Sequence, residues 1–71
     1  MIALKTKFGI RLKELRLAAG LTQEEVAEST SLTIESISNM ERGLYGPKFS
    51  NLEKIADAIG VEVKELFEFI E

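Results

Sequence analysis

Apolar residues recur along this chain with a period near 3.6, and Gly20, Gly43 and Gly60 cut the pattern into segments, as expected where left-handed residues end helices. At 100° per residue Leu4, Phe8, Leu12, Leu15 and Ala19 fall on one stripe, which predicts a first helix over about residues 4 to 19 with that stripe in the core. Thr22, with Glu25 three positions on, is a capping box that opens a second helix ending near Ser29, with Val26 and Ala27 facing inward. Thr33 caps a third helix. In it Ile37 and Met40 share one face, and Glu35, Ser38, Asn39 and Arg42 share the opposite one. Ser50 with Glu53 reads as another capping box, opening a fourth helix lined by Leu52, Ile55, Ala56 and Ile59. A last helix over about residues 62 to 70 sets Val63, Leu66, Phe67 and Ile70 in register. No β-type alternation, repeat or low-complexity stretch interrupts this, so the expected fold class is all-α, five helices in a single domain over residues 1–71.

The closest pair of helices lies in LTQEEVAESTSLTIESISNMERG, residues 21–43. Each helix is too short to be stable alone, so the pair must be held by tertiary packing for the way one presents the other. A helix of about eight residues, a turn of three or four, and a second helix of about nine with an exposed polar face is the length pattern of a helix-turn-helix, over about residues 22–43. There the second helix enters the DNA major groove.

Composition narrows the chemistry. A chain of 71 residues supports one domain, burying about 60% of the surface its unfolded form exposes. At 45% hydrophobic and 30% charged it can still close a core. Cys and His are both absent. That removes disulfides, thiolate metal sites and the commonest general base, so no cofactor, no metal and no enzymatic activity are expected. The apolar runs are short and MIALKTKF lacks the core of a signal peptide, so no membrane association is expected and the location is expected to be cytoplasmic. The net charge of -3 argues against a nucleic-acid partner until its distribution is considered. Residues 1–48 carry seven cations (Lys5, Lys7, Arg11, Lys13, Arg16, Arg42, Lys48) against six anions, and residues 49–71 carry two against six. One face of the first half can therefore be positive.

The motifs LKELR, GLTQEEVA, SISNMERG and PKFSNLEKIADAIGV stand in order and at matching distances, and over residues 8–67 the chain resembles the phage repressor and Cro type of helix-turn-helix, the XRE family of bacterial regulators. The resemblance implies a lambda-repressor-like fold that binds a double-stranded DNA operator as a homodimer. By position it implies that Gln23 binds a phosphate and leans on the recognition helix, and that Arg16 and Glu41 form a structural ion pair between helix 1 and the end of helix 3. It places base reading on Ile34, Glu35 and Asn39, with Ser38 and Arg42 on the same exposed face. Asn39 can bridge adenine N6 and N7, Ile34 can pack on a thymine methyl, and Glu35 can accept from cytosine N4 but also repels phosphates. Arg42 can reach a guanine or a phosphate. Thr33, Lys48 and the free N–H groups at the start of helix 4 near Asn51 are the expected phosphate contacts. Ser31 stands where the family usually has glycine, so a left-handed residue is expected in the turn.

The expected function is therefore a sequence-specific transcriptional regulator with no small-molecule ligand, of the kind found as phage regulators, restriction-modification controllers or antitoxin components. The rival is a protein-binding helical adaptor that keeps the fold without base reading, which the net acidity and Glu35 favour. For the dimer interface the last helix is expected, through Phe67, Phe69 and Ile70, because Phe69 lies off the inward stripe. Ile10 and Leu17, opposite the core stripe of helix 1, offer a second apolar face.

Overall fold

The computed structural model describes residues 1–69. Four α-helices follow in order: α1 (Leu4–Ala18), α2 (Gln23–Thr30), α3 (Ile34–Glu41) and α4 (Phe49–Ile59), and a 3₁₀ helix, Val63–Phe67, follows them. Among the described residues there is no strand. α1 packs on α3 and on the 3₁₀ helix, while α2 packs on both α3 and α4, so α3 is wedged between the first two helices.

The apolar period predicted the core well where helices cross. Phe8, Leu12, Val26, Ile37, Met40 and Ile55 are all at most 2% exposed. Truncating any of the larger ones to alanine costs about 2 to 5 kcal/mol, because the neighbours cannot collapse fully into the space left. The stripe on α1 is shorter than expected, however. Leu4 is 61% exposed and Ala19, the C-cap, is exposed as well. Both lie at helix ends that overhang their packing partners, which a periodicity of one helix cannot reveal.

Of the three helix starts read from capping residues, two form as expected. The Thr22 hydroxyl accepts from the Glu25 N–H at 3.0 Å while the Glu25 carboxylate accepts from the Thr22 N–H at 2.9 Å, completing the predicted box. Thr33 caps α3 through the Ser36 N–H at 3.0 Å. Gly20, Gly43 and Gly60 all take positive φ as expected. The box expected at Ser50 and Glu53 does not form. α4 starts at Phe49 with the extended Lys48 as its N-cap and no side-chain cap, since the Asn51 N–H already finds the Lys48 carbonyl at 2.9 Å.

The fifth helix is also corrected. Instead of an α-helix over 62 to 70 there are five residues of 3₁₀ helix, capped by reciprocal Glu62 and Glu65 bonds and ended by extended backbone at Glu68. The Arg11 guanidinium donates Nε–H to the Glu65 carbonyl at 2.9 Å, and the Glu68 N–H reaches the same carbonyl at 3.4 Å, so the acceptor that would propagate an α-helix is shared with a tertiary partner. Leu66 is fully buried, and the Phe67 ring lies 5.5 Å from that of Phe8.

Two backbone positions decide how closely the helices approach. Gly9 is buried where α1 crosses the end of α3: a Cβ there would lie 2.2 Å from the Met40 carbonyl oxygen and 2.8 Å from that of Glu41. Only glycine allows this contact, because the obstacle is backbone and cannot rotate away. Ser31, in the turn between α2 and α3, takes φ 60°, ψ 21°. Its N–H and that of Leu32 return to carbonyls of the last turn of α2, a C-terminal cap that glycine fits at lower conformational cost.

These positions give opposite expectations. Gly9→Ala should destabilise by about 2 to 3 kcal/mol, lowering the melting temperature by roughly 10 °C or more. Ser31→Gly should raise it by about 4 to 8 °C, corresponding to about 1 kcal/mol of relieved left-handed strain. Thermal melts followed by circular dichroism check both, and a lower melting temperature for Ser31→Gly would count against the strain at the turn.

Candidate nucleic-acid interface

α2, its turn and α3 form two eight-residue helices joined through Ser31, Leu32 and Thr33, within the limits read from the sequence. The buried Thr30 hydroxyl donates toward the Val26 carbonyl at 2.8 Å and lies 3.1 Å from that of Ala27, while accepting from the Leu32 N–H at 3.4 Å. This closes α2 and starts the turn without an orphaned polar group.

A buried clamp then fixes α3. Arg16 and Glu41, 7% and 8% exposed, pair in the two-pronged manner of guanidinium and carboxylate: Nε to Oε2 at 2.6 Å and Nη2 to Oε1 at 3.0 Å. Arg16 Nη1 also donates to the Leu21 carbonyl at 2.9 Å, tying in the loop before α2. Hydrogen bonding to Glu41 raises the Arg16 pKa above its already high ordinary value, against the opposing effect of burial. For a cation with a raised folded-state pKa the stabilisation is complete below the unfolded value and is lost only as pH rises through the folded one. That window lies far above neutral pH, so the contribution of Arg16 does not vary across the physiological range. Gln23, half-buried at the first position of α2, donates Nε2–H to Glu41 Oε1 at 3.1 Å.

α3 therefore divides cleanly. Ile37, Met40 and Glu41 are buried, while Ile34, Glu35 and Arg42 are exposed and Ser38 and Asn39 half-buried on the other side. Among the described residues no hydrogen bond or ion pair engages the side chains of Glu35, Ser38, Asn39 or Arg42. All five predicted base-reading residues are thus brought to one outward face, and Ile34 adds 47% of its surface there as an apolar contact.

The expected phosphate contacts are less uniform. Thr33 is exposed, but its hydroxyl both caps α3 and lies 3.0 Å from the Ser36 hydroxyl. Lys48 is exposed at the mouth of α4. Near Asn51 the reading needs correcting: its N–H is spent on the Lys48 carbonyl, which leaves the N–H groups of Phe49 and Ser50, in the first turn, as those without an intrahelical acceptor. The half-buried side chain of Asn51 remains at that end.

Comparison with known proteins meets this geometry. A family model described as helix-turn-helix matches residues 12–66. The chain belongs to the helix-turn-helix family. It is similar to the immunity repressor protein of Bacillus phage phi105, 36% identical over 58 residues that make up 82% of this chain and 40% of the repressor. It is also 36% identical over 63 residues to the control protein C.BamHI of Bacillus amyloliquefaciens, covering 87% of this chain and 78% of that one. Among solved structures, the restriction-modification controller C.AhdI from Aeromonas hydrophila superposes with a TM-score of 0.85 at 41% identity, covering 89% of this chain and 96% of the controller. The helix-turn-helix chain thus spans less than half of the phage repressor's length but nearly all of the controller's.

Sequence reasoning missed Gly9 and Arg11, which set the height of α1 on α3 and hold the 3₁₀ helix. The signal for Gly9 was present: a glycine beside Phe8 inside a helical period costs about 1 kcal/mol relative to alanine, and retaining one there implies close backbone approach. Arg11 gave no signal, since its acceptor is a backbone carbonyl 54 residues away. The expected interface residues are only partly free. Phe69 is half-buried, its ring 6.3 Å from that of Phe67 and 5.9 Å from the Lys7 ammonium, so the aromatic thought to lack an intramolecular place has one. Ile70 lies outside the described residues.

Proposed function

We propose that this helix-turn-helix domain is a cytoplasmic, sequence-specific double-stranded-DNA-binding transcriptional regulator, not an enzyme, that acts as a homodimer on a two-fold symmetric operator without a small-molecule ligand. The observation that carries the reading is the outward face of α3, where Asn39 and Arg42 present unengaged side chains on a helix whose orientation a buried clamp fixes. A helix so presented enters a major groove with Ile34, Glu35, Ser38, Asn39 and Arg42 toward base edges. Gln23, Thr33, Lys48, Asn51 and the first N–H groups of α4 face the backbone. An anion at a helix N-terminus needs no cation, which is how a chain of net charge -3 can meet a polyanion.

The dimer is supported by apolar surface that folding leaves exposed. Phe49 is 89% exposed, Leu4 61% and Phe67 37%, and all three line one open hollow of about 460 Å³. Of the C-terminal residues expected at the interface, Phe67 belongs to this surface, whereas Phe69 turns toward Lys7. A face carrying both a protruding ring and a hollow suits the self-complementary contact of a two-fold dimer.

Selection of bound sites from random duplexes at about 100 mM salt tests the function, since backbone contacts alone enrich no sequence. A symmetric enriched motif is expected, and an absence of enrichment would favour a protein-binding adaptor. On the selected operator, Asn39→Ala should lose about 1 to 3 kcal/mol, and much less on an operator altered at the base pair it reads. Lys48→Ala should weaken both operators alike and lower the slope of log K against log salt by about 0.9 for the phosphate released. Titrations at several salt concentrations separate these two patterns. Phe49→Ser should leave the melting temperature within a few degrees and shift sedimentation toward monomer; an unchanged dimer would place the interface on another face, such as that of Ile10 and Leu17.

A further inference from the structure

We propose that Glu41 is a positioning residue for the phosphate contact of Gln23, so that the buried ion pair of the fold also sets the grip on the DNA backbone. The inference rests on the reading of α2 as phosphate-facing given above. An ionised carboxylate only accepts hydrogen bonds, so a carboxamide beside it must turn its nitrogen inward. Gln23 does so, donating to Glu41 Oε1 at 3.1 Å. One N–H is thereby fixed and the second is left to donate outward, the polarity a phosphate requires. Without the carboxylate the amide could rotate and offer its oxygen, which a phosphate repels.

Glu41 can impose this because it is itself immobile. Its two oxygens are held by Arg16 at 2.6 and 3.0 Å, and only 8% of the residue is exposed. The guanidinium also neutralises it, so a carboxylate behind the phosphate contact adds little repulsion. The first residue of α3, Ile34, has no polar side-chain atom and so cannot hold the amide in the carboxylate's place. Gln23 therefore leans on the far end of the recognition helix, and its backbone contact is tied to helix placement and not to any base-reading side chain.

The test combines a spectroscopic readout on the free protein with a mutant cycle on DNA. In the wild-type chain one of the two Gln23 side-chain amide protons should be shifted downfield and protected from exchange, and a pair of resonances with the shifts and exchange rates of a freely exposed glutamine would overturn the inference without any variant having to fold. On the selected operator Gln23→Met, which keeps the length and removes the donors, should lower affinity roughly tenfold. Gln23→Lys, whose ammonium can satisfy Glu41 and a phosphate together, should stay within about threefold of wild type. In a Glu41→Gln background of native circular dichroism, Gln23→Met should cost less than about twofold further, because the two side chains act as one unit. An equal cost in both backgrounds would overturn the positioning role alone. A wild-type chain that binds no duplex would overturn the functional reading and this inference together.

Discussion

The buried pairing of Arg16 with Glu41 is the constraint on which the rest of this structure depends. It joins the end of α1 to the end of α3, and through the Leu21 carbonyl and the Gln23 amide it also holds the loop into α2 and that helix's first residue. Taking two charges from water costs several kcal/mol per ion, which the pair recovers only by good geometry and by satisfying its remaining donors and acceptors. Both conditions are met: no buried side-chain nitrogen or oxygen among the described residues lacks a partner. Apolar residues of similar volume could provide comparable stability. They could not set direction, because apolar contacts let helices slide whereas a two-pronged ion pair fixes position and rotation together.

Packing beside the clamp works to the same end. Gly9 lets the backbone of α1 rest against the last carbonyls of α3, so the two helices approach more closely than any side chain would allow. Thr30 and the left-handed Ser31 set the turn from the other side. α3 is thus located by backbone contact at one end and by hydrogen-bonded turn geometry at the other, and its eight residues need little helical propensity of their own.

What could be read from the sequence was what depends on neighbours in the chain or on a recurring family pattern. The caps at Thr22 and Thr33 and the inward residues of α2, α3 and α4 follow from local periodicity, and the similarity to repressors paired Arg16 with Glu41. The misread features depend on which group takes each backbone carbonyl and on where neighbouring elements end, neither of which the apolar period carries. The expected last α-helix is a 3₁₀ turn because Arg11 competes for its carbonyl, and α4 begins at Phe49 because the Lys48 carbonyl, not the Ser50 hydroxyl, organises the first turn. Leu4 lies on the right stripe of its helix, but the hollow it shares with Phe49 and Phe67 leaves it exposed. For the candidate interface, the helix and its outward residues were legible, whereas the partner of Gln23 was not, since it lies at the opposite end of α3 from the residue a helix-start contact would suggest.

The division of α3 into two faces also bears on how this scaffold can diversify. Three of its eight residues, Ile37, Met40 and Glu41, are committed to the interior, and Ser36 is bonded to the cap. Ile34, Glu35, Ser38 and Asn39 take no part in holding the fold through their side chains. Sequence drift at those four sites is nearly free of stability consequences, so one architecture can sample many outward chemistries while its folding remains unchanged. Interior and outward surface are encoded in the same short helix, yet they can evolve almost independently because successive residues of an α-helix turn by 100°.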